Sequence, residues 1–134
     1  MTFSGLAVFP VEGFSCKAAP GTTFAICPAA SLGVFIGKRF LPLFCFLHLR
    51  TMTGGALTTS PGVRIGTNAA HNNVAPLFTP GTGIAVGVIG AMPLASPMVA
   101  PALDSADILL ELFAAAVGPT TMTADAYLVG LVVG

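Results

Sequence analysis

The chain has few charged side chains for its length. Of 134 residues, five are Lys or Arg and five are Asp or Glu, so charged residues make up 7%, whereas about 25% is usual in a soluble domain. Hydrophobic residues make up 54%. This composition predicts that lipid or other protein subunits cover much of the surface. The alternative is a soluble domain surfaced by Thr, Ser, Asn, Gly and Pro.

The sequence also lacks an excess of charge of either sign. The formal net charge is zero, which gives no electrostatic footprint for nucleic acid, and no nucleic-acid partner is predicted. The charges are instead segregated along the chain. All five basic residues precede Ile65, four of the five acids follow Leu103, and the stretch Ile65–Leu103 has no charged residue.

Trp is absent, Tyr occurs once and Cys three times. The scarcity of Trp and Tyr excludes the usual aromatic belt of a membrane protein. Cys16, Cys27 and Cys45 are an odd number without CxxC spacing, which argues against a disulfide framework and predicts buried free thiols in a reducing compartment. The 16 glycines and 11 prolines make long uninterrupted helices unexpected.

The first twenty residues are not expected to form a secretory signal. No basic residue precedes Lys17, and Gly5, Pro10 and Glu12 interrupt the apolar positions. A signal peptide needs a charged start and a continuous apolar run, so no signal peptide is predicted, and a loop or short strand is expected instead.

The segment Leu32–Leu49 is a candidate membrane span, because it is long enough to reach across much of a bilayer. Lys38 and Arg39 in its centre cost roughly 5–7 kcal/mol, more than the roughly 5 kcal/mol that its apolar side chains supply. Two short elements, Leu32–Ile36 and Phe40–Leu49, are therefore predicted. The second could lie in a membrane interface or against a partner.

The region Arg50–Asn73 is rich in Gly, Asn, Thr and Ser, which favours exposed loops around a short strand at Val63–Ile65. Further on, Gly81-x-Gly83-x-x-x-Gly87 fits a nucleotide-binding turn, a helix-pairing motif of membrane proteins, or a strand. A nucleotide-binding turn needs a strand before it and a helix after it, and the residues on either side of this motif favour neither. Alternation of large and small residues favours a strand over Gly83–Met92, followed by an extended segment containing Pro93, Pro97 and Pro101.

The strongest local pattern predicts an amphipathic helix near residues 104–117. Asp104 or Ser105 would cap it, and Gly118-Pro119 would end it. Asp104, Asp107 and Glu111 would share one face, and the opposite face is apolar. Beyond this helix, the β-branched content of Ala126–Val133 predicts a buried strand.

No catalytic, cofactor-binding or metal-binding residue is assigned. Cys45-x-x-His48 is half of a metal site without a second half. Neither His48 nor His71 belongs to an HExxH motif. The acids Asp104, Asp107 and Glu111 are interpreted as the solvated face of the helix.

The sequence therefore predicts an α+β fold: a β-rich single domain, residues 1–134, with Gly/Pro loops and one helix near 104–117. An apolar part (1–50) precedes a turn-rich loop region (51–82) and a strand, proline arm, helix and strand (83–134). The predicted function is a non-enzymatic structural or assembly subunit of virion-like or shell-like type, without cofactors, whose partners are itself or other subunits. The alternatives are a small integral or peripheral membrane protein with short broken hydrophobic segments, and a translated frame without selected function.

Overall fold

The structure is a computed structural model that describes residues 3–27, 37–67, 70–97, 100–102 and 107–134. Within these residues the chain forms eight strands and no helix. The strands are β1 (Phe3–Ser15), β2 (Thr22–Cys27), β3 (Arg39–Thr53), β4 (Gly62–Thr67), β5 (Ala70–Phe78), β6 (Ile89–Ala91), β7 (Ile108–Ala114) and β8 (Thr121–Val133).

The strands form two four-stranded sheets in which neighbouring strands are antiparallel. Sheet A has the order β1-β8-β3-β6, and sheet B has the order β2-β7-β4-β5. The first strand therefore pairs with the last, the second with the seventh, the third with the sixth and the fourth with the fifth. The chain is thus a long antiparallel hairpin folded over on itself, which is the eight-stranded jelly roll.

The core lies between the two sheets and explains why these segments are strands. Along β8, alternate residues from Met122 to Val132 point inward, which is the period of two that a strand requires. Rings cross between elements: Phe9 meets Phe40 edge-on with centroids 5.0 Å apart, and Phe14 of β1 contacts Phe24 of β2 at 5.3 Å. Other fully buried side chains include Leu49, Ile65, Ile108, Leu110, Leu112 and Leu128.

Gly130 leaves room for the fully buried ring of Phe40 in sheet A. It lies in β8, opposite Pro42 of β3 and Ala7 of β1. A Cβ atom at this position would overlap the Phe40 ring and the carbonyl oxygen of Leu41. Glycine is therefore required in the interior of this strand by the close approach of Phe40.

The predicted helix near residues 104–117 is wrong, and so is the α+β class, because the described fold is all-β. Residues 108–114 form β7, which lies between β2 and β4 and hydrogen-bonds to both. Ile108, Leu110 and Leu112 point into the core at the period of a strand. The N-cap residues Asp104 and Ser105 lie outside the described residues. No helix in the described part of the chain is long and apolar enough to cross a membrane.

The other predicted elements have mixed outcomes. The strand at Ala126–Val133 is confirmed within β8, and Val63–Ile65 is confirmed within β4. The segment Phe40–Leu49 lies in β3, whereas Leu32–Ile36 lies outside the described residues. The strand predicted over Gly83–Met92 is mostly wrong, because only Ile89–Ala91 pairs as β6 and turns occupy much of the rest. Two strands, β4 and β5, cross the region 51–82 that was predicted to be turn-rich loop.

Candidate functional site

The outward side of sheet A carries a continuous apolar surface, here called the apolar face. The register aligns Leu6 of β1, Leu131 of β8 and Leu41 of β3 in one row, and Val8, Val129 and Phe44 in the next. Residues that are directly opposite in a sheet point to the same side. The apolar face consists of Leu6, Val8, Leu41, Phe44, Phe46, Ile89, Val129 and Leu131.

Four side chains of the apolar face are largely uncovered. The exposed fraction is 66% for Leu6, 53% for Val8, 57% for Phe44 and 64% for Ile89. The Phe44 and Phe46 rings stack with centroids 6.2 Å apart, which makes a flat aromatic area near the centre. A cluster of large exposed apolar residues on one side of a sheet marks an interaction surface.

A β-bulge in β3 turns Phe44 outward. Pro42 pairs with Gly130 and Phe44 pairs with Val129, so Leu43 is an extra residue without an opposite partner. Without the bulge, strict alternation would direct Phe44 inward, to the same side as Phe40. Bulges re-aim side chains in this way, and here the extra residue adds an aromatic ring to the outward side.

The apolar face ends at a charged group built around Asp125, here called the Asp125 cluster. Asp125 is only 5% exposed although it lies on the outward side of β8. Its Oδ1 accepts hydrogen bonds from the Gly13 backbone N–H at 2.7 Å and from Arg50 Nη1 at 3.4 Å, and its Oδ2 lies 3.0 Å from His48 Nδ1. A carboxylate buried this far needs such partners.

Bulges in both neighbouring strands bring these partners to Asp125. Arg50 is the extra residue of a bulge in β3, between Leu49 and Thr51. Gly13 lies in a bulge of β1 with a φ of 66°, which favours glycine. Burial raises the pKa of Asp125, but hydrogen bonds from His48 and Gly13 and the positive charge of Arg50 hold it below its ordinary value.

Sheet B carries a corresponding group on its outward side, the Glu111 cluster. Glu111 of β7 is 6% exposed. Arg64 of β4 donates from Nη2 to both carboxylate oxygens at 3.1 Å, and His71 Nδ1 contacts Oε2. Burial raises the pKa of Glu111, but the hydrogen bonds from His71 and Arg64 hold it below its ordinary value.

The Glu111 cluster also covers part of the apolar surface around it. The Arg64 guanidinium lies over the Phe113 ring, 4.7 Å from the centroid, in a cation–π arrangement. Nearby, the Asn73 side chain hydrogen-bonds to the backbone and hydroxyl of Thr67. The outward side of sheet B is therefore covered in part by its own polar side chains, although Phe113 stays 46% exposed and Leu77 of β5 stays 48% exposed.

Cys45 and His48, which the sequence suggested as half of a metal site, point to opposite sides of β3. Cys45 points into the core, where its Sγ lies 3.7 Å from Met92 Sδ, and His48 points outward to Asp125. An odd spacing along a strand places two side chains on opposite sides. Among the described residues, no group of three or more His, Cys, Asp or Glu side chains is arranged to hold a metal ion.

The interpretation of Asp104, Asp107 and Glu111 as the solvated face of a helix is wrong for Glu111, which is buried. Glu111 is bound by Arg64 and His71, Asp107 precedes β7, and Asp104 lies outside the described residues. Sequence reasoning missed both clusters, since the partners of each carboxylate lie 40 to 112 positions away from it along the chain. One signal was available for Asp125: it immediately precedes a predicted buried strand, and a buried acid requires a partner.

The described cysteines are buried thiols. Cys16 and Cys45 are free, as the sequence predicted for them. Burial raises the pKa of each thiol to about 12, so both are protonated and unreactive near neutral pH. A thiol nucleophile is therefore not available at these two positions.

A small apolar cavity lies at an end of the sandwich, with a volume of about 10 Å³. Phe14, Leu49 and Met122 are among the residues that line it. This space equals about one water-sized probe, whereas pockets for small molecules measure about 300–1,000 Å³. The cavity is a packing defect rather than a binding site.

Comparison with known proteins gives a likeness in fold. No protein-family model and no curated protein matches the sequence. Among solved structures, a chain of the structure titled "Capsid of Ralstonia phage GP4" is similar over 99% of this chain and 90% of that chain, with a TM-score of 0.61 and 15% sequence identity. At that identity the likeness shows a shared fold.

Proposed function

We propose that this protein is a non-enzymatic structural subunit of an assembled shell, of the kind that encloses a virion. The observation that carries the proposal is the full-length likeness to a chain from a phage capsid structure. The jelly roll also occurs in lectins and cupins, so the fold alone does not select this function. The surface of this chain supplies the second reason.

The apolar face suits a subunit whose neighbours cover it. Leu6, Phe44 and Ile89 are each more than half exposed in the single chain. An isolated soluble monomer with 7% charged residues would expose this surface to water, and exposed apolar surface favours association. Burial of the face against another protein surface removes that cost.

A structural role also agrees with the state of the polar groups. The two carboxylates with altered pKa values, Asp125 and Glu111, are each engaged by a histidine and an arginine. Such pairs hold neighbouring strands together, and the oxygens of both carboxylates are already occupied by groups of the same chain.

The proposal is tested on particles rather than on the isolated chain. Shell particles would be purified by density-gradient centrifugation from cells that express the gene, and the protein content of each fraction would be quantified by mass spectrometry. The chain is expected in the particle fraction, in a fixed ratio to the other shell proteins across independent preparations. Recovery only in the soluble fractions would overturn the assigned function.

A further inference from the structure

We propose that the apolar face of sheet A binds the same face of a second copy of this chain, which forms a two-fold symmetric pair. The inference rests on the proposed assembly role and names the surface and the partner. Two-fold pairs are the commonest form of homo-oligomer, and they require a surface that complements itself. The apolar face and the Asp125 cluster together have this property.

The area of the surface is close to what a stable pair needs. Sheet A has three long strands, with 13 residues in β1, 13 in β8 and 15 in β3. At about 3.3 Å per residue and about 4.8 Å between strands, its outward side measures roughly 45 by 15 Å. This amounts to about 700 Å², and the accessible surface is larger because side chains project from the sheet. A standard interface buries about 800 Å² per partner.

The distribution of residues is also that of an interface, with an apolar centre and a polar rim. Stacked Phe44 and Phe46 lie in the apolar part. Toward one end the outward side becomes polar at the Asp125 cluster and at the hydroxyl pair of Thr51 and Thr123. Asp125 is already bound within its own chain, so packing against another surface would leave no buried charge without a partner.

Charge complementarity favours a second copy as the occupant. Strands β1 and β3 flank β8 on opposite sides. A two-fold axis parallel to β8 would therefore place β1 of one copy over β3 of the other, with corresponding ends together. Val8 would then meet Phe44, and Glu12 would lie near Arg50, so the arrangement pairs apolar with apolar and acid with base.

Two observations place Glu12 and Arg50 where this arrangement needs them. Arg50 contacts Asp125 on the outward side and keeps 52% of its side chain exposed. Glu12 is exposed and lies in the bulge of β1 between Val11 and Phe14, at the level of Asp125 in β8. Both charged groups therefore border the same end of the apolar face.

The sheet edges are less suited to association than the face. The outer strand β1 carries Pro10 in its middle and bulges near both ends, and β5 carries Pro76. Proline cannot donate a hydrogen bond, and bulges twist an edge away from a flat partner. Face-to-face packing of two sheets, about 10 Å apart, needs no free edge.

The test compares two substitutions of equally exposed valines in the purified full-length chain. Val8 on the apolar face is 53% exposed, and Val117, outside the eight strands, is 52% exposed. Sedimentation velocity over a hundredfold range of concentration would measure the dissociation constant of the pair. Val8→Glu is expected to weaken the pair at least tenfold, whereas Val117→Glu leaves it unchanged, and circular dichroism would show that both variants keep the β-sheet spectrum.

A second substitution tests the charge arrangement. Glu12→Arg would place a cation near Arg50 of the other copy, so we expect several-fold weaker pairing at low salt and a smaller difference at high salt. A folded wild-type chain that stays monomeric at the highest concentration would overturn the inference, as would a Val8→Glu variant that pairs like wild type.

The outcomes remain separable from those of the proposed function. A chain that is found in shell particles but is monomeric when purified overturns the pair and leaves the assembly role intact. If Val8→Glu then abolishes incorporation of this monomer into particles, the apolar face binds a different shell protein. A pair that forms in solution while particles lack the chain supports the inference and overturns the assembly role.

Discussion

The outward sides of the two sheets differ although they are built on the same plan. Each has a buried carboxylate held by one histidine and one arginine, Glu111 in sheet B and Asp125 in sheet A. In sheet B, Arg64 also covers Phe113. In sheet A, the cluster lies at one end and leaves Phe44 and its neighbours uncovered.

This difference indicates which of the two surfaces would gain more free energy from a partner. A sheet whose polar groups bind one another and cover its apolar rings gains little from a partner. A sheet whose apolar side chains stay exposed gains free energy of about 25 cal/mol for each Å² that a partner removes from water. The polar groups of sheet B therefore cover part of its apolar surface, and we propose that association covers the larger apolar face of sheet A.

The largest expected effect is on the Glu111 cluster. Glu111→Ala would leave Arg64 and His71 without their shared partner, and both are about three-quarters covered, with 26% and 28% of their side chains exposed. We expect the free energy of unfolding to fall by about 2–3 kcal/mol, less than the 3–5 kcal/mol lost when a fully buried pair is broken. Urea denaturation measures the change.

A double variant separates loss of the pair from loss of packing. Adding Arg64→Met to Glu111→Ala removes the cation that the single change leaves unpaired, so the double variant is expected to recover part of the lost stability. Equal destabilisation in the single and double variants would show that the ion pair is not the source of the effect.

A smaller effect is expected at the Asp125 cluster. Asp125→Ala would remove the acceptor for the Gly13 N–H and the partner of His48, but Arg50 is half exposed and can be solvated. We expect a loss of about 1–2 kcal/mol in the free energy of unfolding. Asp125→Asn keeps an acceptor for Gly13 and is expected to cost less. A larger loss for Asp125→Ala than for Glu111→Ala would reverse the comparison of the sheets.

Both clusters make stability depend on pH in the acid range. The pKa values of Glu111 and Asp125 are lower in the folded chain than their ordinary values. Their stabilisation is therefore complete above the unfolded values of about 4.3 for Glu and about 3.9 for Asp, and it is lost as pH falls through the folded-state values. The urea midpoint of wild type is expected to fall steadily below about pH 5.

A double variant measures how much of this pH dependence of stability comes from the two carboxylates. The double variant Glu111→Gln, Asp125→Asn is expected to show a flatter profile below pH 5 and lower stability at pH 7. A profile parallel to that of wild type would show that other carboxyl groups control acid unfolding.

The sequence predicted part of this molecule for clear physical reasons. The strand at Ala126–Val133 is predictable because the segment contains three β-branched valines and has the length of a buried strand. The low charge content predicted an apolar surface that lipid or other subunits cover. It could not predict that bulges at Leu43 and Arg50 shape this surface, because a bulge depends on the register with β8. The shell-type role remains a proposal.

The error at residues 104–117 has a specific cause. The spacing of Asp107, Glu111 and the intervening apolar residues fits a helix, but Ile108, Leu110 and Leu112 fit a strand equally well. A short apolar run cannot decide between the two periods. Pairing with β2 and β4 stabilises the strand. Glu111 binds Arg64 and His71, which lie far from it in the sequence.

The smallest expected effect on the free energy of unfolding is that of a substitution at Val8, which lies in the same strand as the buried Val11. Val8 and Val11 both lie in β1, but Val8 is 53% exposed on the apolar face and Val11 is 9% exposed in the core. Val→Thr keeps the β-branched shape and exchanges a methyl group for a hydroxyl. Val8→Thr should change the free energy of unfolding by less than about 0.5 kcal/mol, whereas Val11→Thr should cost about 1–3 kcal/mol because it buries a polar group. Urea denaturation of both variants at a concentration that keeps the chain monomeric measures this contrast. If Val8→Thr destabilised the monomer as much as Val11→Thr, the apolar face would be part of the folding core, and its exposed residues would no longer argue for a partner.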